Sequence, residues 1–252
     1  MHEVRLLWLT LPLLALVASG AEPVERAPVE PKSLPAPDQK VEPAKPAIER
    51  LEDGRMKVGE VTFDPKTREI RFPAEVNMTE GLLEFFVVHR NGKVHESLLL
   101  SDISATNLNI AFKLLKYKAS RELYVKVEED GSLSNEFEEA TPEEKKESRL
   151  KLLVEWKDGE ETKSVSANDL IAHAATEKAM PKSPWVYGGS FVYDGKFVAE
   201  TSGDLMAIFL SNSALINFSG EDNELDDVWL PHPTRVPAQG TKVTVLIQPY
   251  EP

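Results

Sequence analysis

The sequence predicts an α+β, β-rich domain: a largely antiparallel sheet or sheets, one main packing helix, and short helices in the connections. Three observations lead there. Short runs rich in Val, Ile, Phe and Tyr recur between turn residues, as in "KVGEVTFD", "REIRFPAEV", "WVYGGSFVY" and "KVTVLIQPY". One longer stretch, "SATNLNIAFKLLKYK", places Leu108, Ala111, Phe112 and Leu115 at helical spacing. Asn91-Gly92 and Asp194-Gly195 are the dipeptides that two-residue hairpin turns prefer.

Residues 1–21 read as a signal peptide, because the uncharged run "LLWLTLPLLALVA" follows Arg5 and closes on Ser19, Gly20 and Ala21. That run is shorter than the roughly 20 apolar residues a membrane-spanning helix needs, so no integral span is expected after cleavage. Residues 22–54 alternate proline with charge and alanine, the composition of an extended linker. A single globular domain is expected over 55–252.

Within the domain, Val58, Val61 and Phe63 face Ile70, Phe72 and Val76 across a turn at Pro65–Thr67. The run "FFVVHRNGKVHESLLL" follows as a hairpin, and then the helix, capped by Ser104 or Thr106. Residues 128–149 form an acidic excursion poor in apolar groups, with one short helix announced by Thr141-Pro142-Glu143-Glu144. "LKLLVEW" and "ETKSVS" return as strands around a turn at 157–160, and a short helix is capped near Ser166. The last third holds the strands "WVYGGSFVY", "KFVAET", "LMAIFLS" and "KVTVLIQPY".

Composition excludes several function classes. There is no cysteine, so thiolate catalysis, cysteine zinc sites and iron–sulfur ligation are unavailable. Lys+Arg at 29 against Asp+Glu at 42 gives a formal charge of -13. Such a surface repels phosphate backbones, so nucleic acid is not an expected partner.

The hairpin carries the first candidate site. With Asn91-Gly92 as a type I′ turn, His89 and His95 fall on opposite faces, and His89 becomes a diagonal neighbour of Glu96. A bulged register would instead place both histidines on one side. A carboxylate among Val87, Val94 and Leu98 makes Glu96 the residue of most interest. No HxH or HExxH spacing accompanies it, so no metal ligand is assigned. The second candidate is Gly188-Gly189-Ser190, where two glycines can expose backbone N–H groups beside a hydroxyl. The spacing is not that of a GxSxG elbow. Asp204, before an apolar strand, is the third. "SGEDNELDDVW" resembles an oxygen-rich calcium loop without EF-hand spacing. His173 and His232 have no partner in sequence, while Asn77 and Asn217 stand in glycosylation patterns.

Taken together, the blocks "DPKTREIRFPAEVNM", "GKVHESLL", "PWVYGGS", "TSGDLMAIFLSNSALIN" and "DDVWLPHPTRVPAQGTKVTVLIQPY" make the chain resemble the YdjY-domain family of exported bacterial proteins, from about Val58 to Tyr250. The resemblance implies a secreted or periplasmic domain and supplies no catalytic residues or cofactor. Some relatives belong to iron–sulfur or redox contexts, which a chain without cysteine does not share as a cluster ligand. The functional expectation is a non-enzymatic module that binds a protein or small-molecule partner or serves assembly. Its rival is a metal-assisted enzyme using Glu96 with His95 or His89.

Overall fold

The computed structural model describes residues 47–251. The expected signal peptide and the linker as far as residue 46 lie outside the described residues. Just after them, β1 (Ile48–Arg50), β2 (Met56–Val58) and β3 (Val61–Phe63) form a short antiparallel meander that leads into β4 (Ile70–Val76). Strand character therefore begins before residue 55. Phe63 pairs with Ile70 as the apolar pattern requires. In β4 the buried Ile70, Phe72, Ala74 and Val76 alternate with the more exposed Arg71, Pro73 and Glu75, the signature of a strand with one wet face.

Next come β5 (Phe85–His89), β6 (Ser97–Ser101) and α1 (Ala105–Leu114). Ser104 caps α1, its side chain accepting from the Asn107 amide, and the helix buries Ala105, Leu108, Ala111 and Phe112. The acidic excursion contains a two-stranded ribbon, β7 (Val125–Val127) with β8 (Leu133–Phe137), and then α2 (Pro142–Glu147). Thr141 and Glu144 form the reciprocal capping box that the sequence announces. β9 (Arg149–Asp158) and β10 (Glu161–Ser166) make an antiparallel hairpin, followed by a single 3-10 turn and β11 (Ile171–His173). β12 (Trp185–Tyr187) precedes the small hairpin of β13 (Val192–Tyr193) and β14 (Lys196–Phe197), which turns at Asp194-Gly195 with both residues at positive φ. Where "KFVAET" suggests one strand, the chain instead winds into α3 (Val198–Ser202), which ends on Gly203 in the left-handed region. β15 (Asp204–Ala207), β16 (Ile216–Phe218), β17 (Trp229–Pro231) and β18 (Lys242–Pro249) complete the fold.

The strands do not end in an open sheet. Around the order β4-β18-β9-β12-β16-β15-β5-β6, the last strand pairs back onto β4 and closes an 8-strand barrel. Two contacts in the ring are parallel, β5 with β6 and β15 with β16; the rest are antiparallel. The expectation of a β-rich, mostly antiparallel fold holds at that level, and closure into a mixed barrel is the correction. Closure follows from the apolar surplus: β5, β6, β12, β15 and β16 are buried on nearly every residue, so neither face of these strands can be left to water. Trp185 lies between Phe86 and Phe218, with ring centroids 5.5 and 5.4 Å away, and donates its indole N–H to Asn168 Oδ1 at 3.0 Å. Tyr187, on the same side of β12, stacks on Phe112 of α1 at 4.1 Å, which fixes the helix against the barrel.

Candidate functional site

The Asn91-Gly92 segment does turn the chain, since the Gly92 amide donates to His89 O at 2.8 Å. It does not make a hairpin. Val94–Glu96 winds into a 3-10 turn, anchored by Asn77 Nδ2 donating to Val94 O at 2.7 Å and Ser97 O at 2.8 Å, and β6 then runs parallel to β5 with His89 beside Ser101. The signal for this was present in the sequence. "FFVV" and "LLL" are continuous apolar runs, which suit strands buried on both faces, whereas a half-exposed hairpin would alternate.

The parallel register redistributes the first candidate site. His89 and Glu96 lie at opposite ends of the strand pair, about 16 Å apart at the usual rise per residue, since His89 faces Ser101. The diagonal contact expected of a hairpin is therefore absent. His89 donates its backbone N–H to Gly203 O at 2.8 Å, and its Nδ1 accepts from the Asn91 amide at 3.1 Å. His95 is exposed. Glu96 instead joins Glu84, a residue with no signal in the sequence: the Glu84 amide donates to Glu96 O at 3.0 Å, so both carboxylates enter their strands at the same end. Burial, and after it the neighbouring Glu96 charge, pushes the Glu84 carboxyl above its ordinary value, while Lys93 opposes the shift. Ionised Glu84 is thus disfavoured in the fold. The native state loses stability as pH rises through that raised value and regains it as pH falls toward the ordinary carboxylate range. Glu84→Gln should therefore be more stable than the parent at neutral pH, with the gap shrinking on acidification, as denaturant melts at a series of pH values would show.

The second and third candidates meet at one knot. The Gly188 and Gly189 amides both donate to Leu215 O, at 2.9 and 3.1 Å, so neither N–H is presented to an anion. Ser190, at φ 54 and buried, donates its hydroxyl to Ser213 O at 2.7 Å and accepts from the Ala199 amide at 3.2 Å. Its own amide donates to Tyr124 Oη at 2.8 Å, and Tyr124 in turn donates to Ala214 O at 2.7 Å. The Ser213 hydroxyl donates to the Asp204 carboxylate and also lies 2.8 Å from Ser211 Oγ. Asp204 is 1% exposed, and its Oδ1 has no protein partner. Ser190 and Asp204 are thus joined through Ser213. Tyr124, Ser211 and Ser213 carry no local motif and were invisible to spacing arguments. Tyr124→Phe should cost about 1–3 kcal/mol in a denaturant titration, because it strands a buried amide and a buried carbonyl.

The remaining polar candidates also have structural partners. Asn217 is buried, with its amide bonded to both the backbone N–H and C=O of Ser211, so its glycosylation pattern is inaccessible in the fold. Asp222 of the acidic loop lies 3.5 Å from His173 Nε2. Among the described residues no group of three or more His, Asp or Glu side chains is placed to hold a metal ion. A cleft of about 650 Å³ lies beneath the excursion, lined in part by Phe137, Glu139 and Ser219. In its wall Glu122 bridges Lys145 at 3.1 Å and Arg149 at 2.6 Å.

The profile of the YdjY domain matches residues 61–248, a span that contains all of the barrel but Pro249, the last residue of β18. The chain belongs to the YdjY domain family. Both parallel contacts, the Glu84–Glu96 pair and the Ser190–Asp204 knot lie inside the YdjY domain, whereas β1 and β2 precede it. Comparison with curated proteins gives no match, and comparison with solved structures gives none. Among the described residues of this YdjY chain no helix is long and apolar enough to cross a membrane.

Proposed function

We propose that this YdjY chain is an exported bacterial domain that acts as a non-enzymatic binding or assembly module, held at the end of its proline-rich segment. The export reading rests on the apolar leader-like run and the linker composition. One observation carries the binding reading. Among the described residues the most exposed large apolar side chains, Val127 at 60%, Leu133 at 69%, Val192 at 66% and Tyr193 at 74%, all stand on two ribbons that take no part in the barrel. Exposed apolar groups gathered on projecting strands are the mark of an interaction surface. Two groups with catalytic potential, by contrast, have hydrogen-bond duties inside the fold: the Ser190 hydroxyl sits between a carbonyl and an amide, and the Asp204 carboxylate accepts from Ser213.

The rival enzyme reading has one observation in its favour, the adjacency of Glu84 and Glu96 next to the exposed His95. Chain purified from its native compartment separates the two. The module reading expects a stoichiometric partner, and the same phenotype for wild type and Glu96→Gln. Turnover or bound metal that disappears in Glu96→Gln would replace it with the enzyme reading.

A further inference from the structure

The two ribbons spring from one point. Tyr124 leads directly into β7, and its hydroxyl accepts from the amide of Ser190, two residues before β13. Asn212 clasps the first residue of β7 from the other side, accepting from the Val125 amide at 3.0 Å and donating to Val125 O at 2.9 Å. The β7–β8 and β13–β14 ribbons therefore project from a common root. Val127 and Leu133, paired directly across the first ribbon, are its exposed apolar pair, and Val192 and Tyr193, one on each side of the second, are exposed as well.

Charge says what kind of partner suits it. The first ribbon and its turn carry Glu128, Glu129, Asp130 and Glu136, all exposed. Only Glu136 has a cation, Lys126 at 2.7 Å; the three turn carboxylates make no ion pair among the described residues. A second copy of the chain would bring the same acidic turn and a further formal charge of -13, and an anionic lipid surface would be repelled in the same way. We propose that the β7–β8 and β13–β14 ribbons form one docking face for a cationic polypeptide segment bearing apolar side chains. The inference rests on the binding-module reading and names the partner's chemistry. Apolar contacts hold the segment, and the turn carboxylates steer it in.

The test titrates the full chain with a fluorescent hexapeptide alternating Lys and Val, following anisotropy, beside a Lys/Ser peptide of the same charge. Wild type should bind the Lys/Val peptide at least tenfold more tightly than the Lys/Ser peptide. Val127→Ser/Leu133→Ser/Tyr193→Ser, which keeps every charge, should lose that preference while keeping the parent's melting temperature. Glu128→Gln/Glu129→Gln/Asp130→Asn should weaken binding and flatten its salt dependence. Equal affinity for the two peptides, or a triple Ser variant that binds like wild type, would overturn the proposal. So would sedimentation showing self-association lost in the triple Ser variant, which would give the face to a second copy. A photo-crosslinker in the native host distinguishes this failure from that of the module reading. Adducts to a basic protein from Leu133 and Tyr193, and none from Thr162 on the β9–β10 hairpin, support the face. Adducts from Thr162 alone overturn the face and leave the module. Adducts from none of the three positions overturn both.

Discussion

Trp185→Ala should lower the unfolding free energy by about 3–5 kcal/mol, the range for truncating a large buried aromatic. For a domain of ordinary stability that is enough to leave a sizeable unfolded fraction at 37 °C. The size of the effect comes from position. Trp185 is fully buried on β12, which pairs with β9 on one side and β16 on the other, so the cavity opens between elements of the closed ring. Phe86 and Phe218 lose the ring between them, and Asn168 Oδ1 loses its indole donor. Asn168 also donates to Pro181 O at 2.6 Å and Ser183 O at 3.2 Å, so the segment entering β12 loosens as well. Trp185→Phe keeps much of the volume and should cost well under half as much. A guanidinium titration of the three proteins, read by near-ultraviolet circular dichroism, checks the order.

Gly188→Ala should destabilise by about 3 kcal/mol, near the top of the range for an inserted methyl group. A Cβ at this position would meet Tyr124 Cε1 and Oη at 2.4 Å. The ring cannot swing aside, because its hydroxyl is bonded to Ala214 O and the Ser190 amide and the residue is 3% exposed. Either the clash stays or both hydrogen bonds go, and the roots of both ribbons move with them. In a double-mutant cycle, Tyr124→Leu should relieve most of the Gly188→Ala penalty, giving a strongly non-additive pair. Additive costs would mean that the two residues do not touch.

What was legible in the sequence follows the range of the interactions that decide each element. The Ser104 cap, the Thr141–Glu144 box and the Asp194-Gly195 turn are local, and each is in place. Over α3 the sequence suggests strand because Val198 and Phe197 favour strands, whereas Gly203, closing the helix in the left-handed region, is the residue that decides. The Asn91-Gly92 pair shows the limit most clearly. Its local preference is met by a turn, yet the direction of β6 is set through its pairing with β4, where Val76, outside the 85–100 segment altogether, lies opposite Leu99. The close approach of Gly92 to Gly203, where a Cβ on the latter would lie 2.9 Å from Gly92 Cα, is equally non-local. For the site, Ser190 and Asp204 stood out as residue types, but Ser213, which joins them, and Glu84, which joins Glu96, arrive only through the folded chain.

The parallel crossover between β5 and β6 closes the barrel and sets every placement at the candidate site, and the absence of cysteine makes it testable by disulfide trapping. Two double variants suffice, His89→Cys/Ser101→Cys and Val87→Cys/Glu96→Cys. The first pair is directly opposed in the parallel register, where Val87 faces Leu99 instead, and the second would be directly opposed in an antiparallel hairpin turning at Asn91-Gly92. Neighbouring strands lie about 4.8 Å apart, within disulfide reach, whereas Cα atoms more than about 7 Å apart cannot be bridged without moving the backbone. On mild oxidation the 89–101 pair should form an intramolecular disulfide and the 87–96 pair should remain as free thiols. Oxidation of the 87–96 pair with no bridge between 89 and 101 would restore the antiparallel hairpin and contradict the barrel.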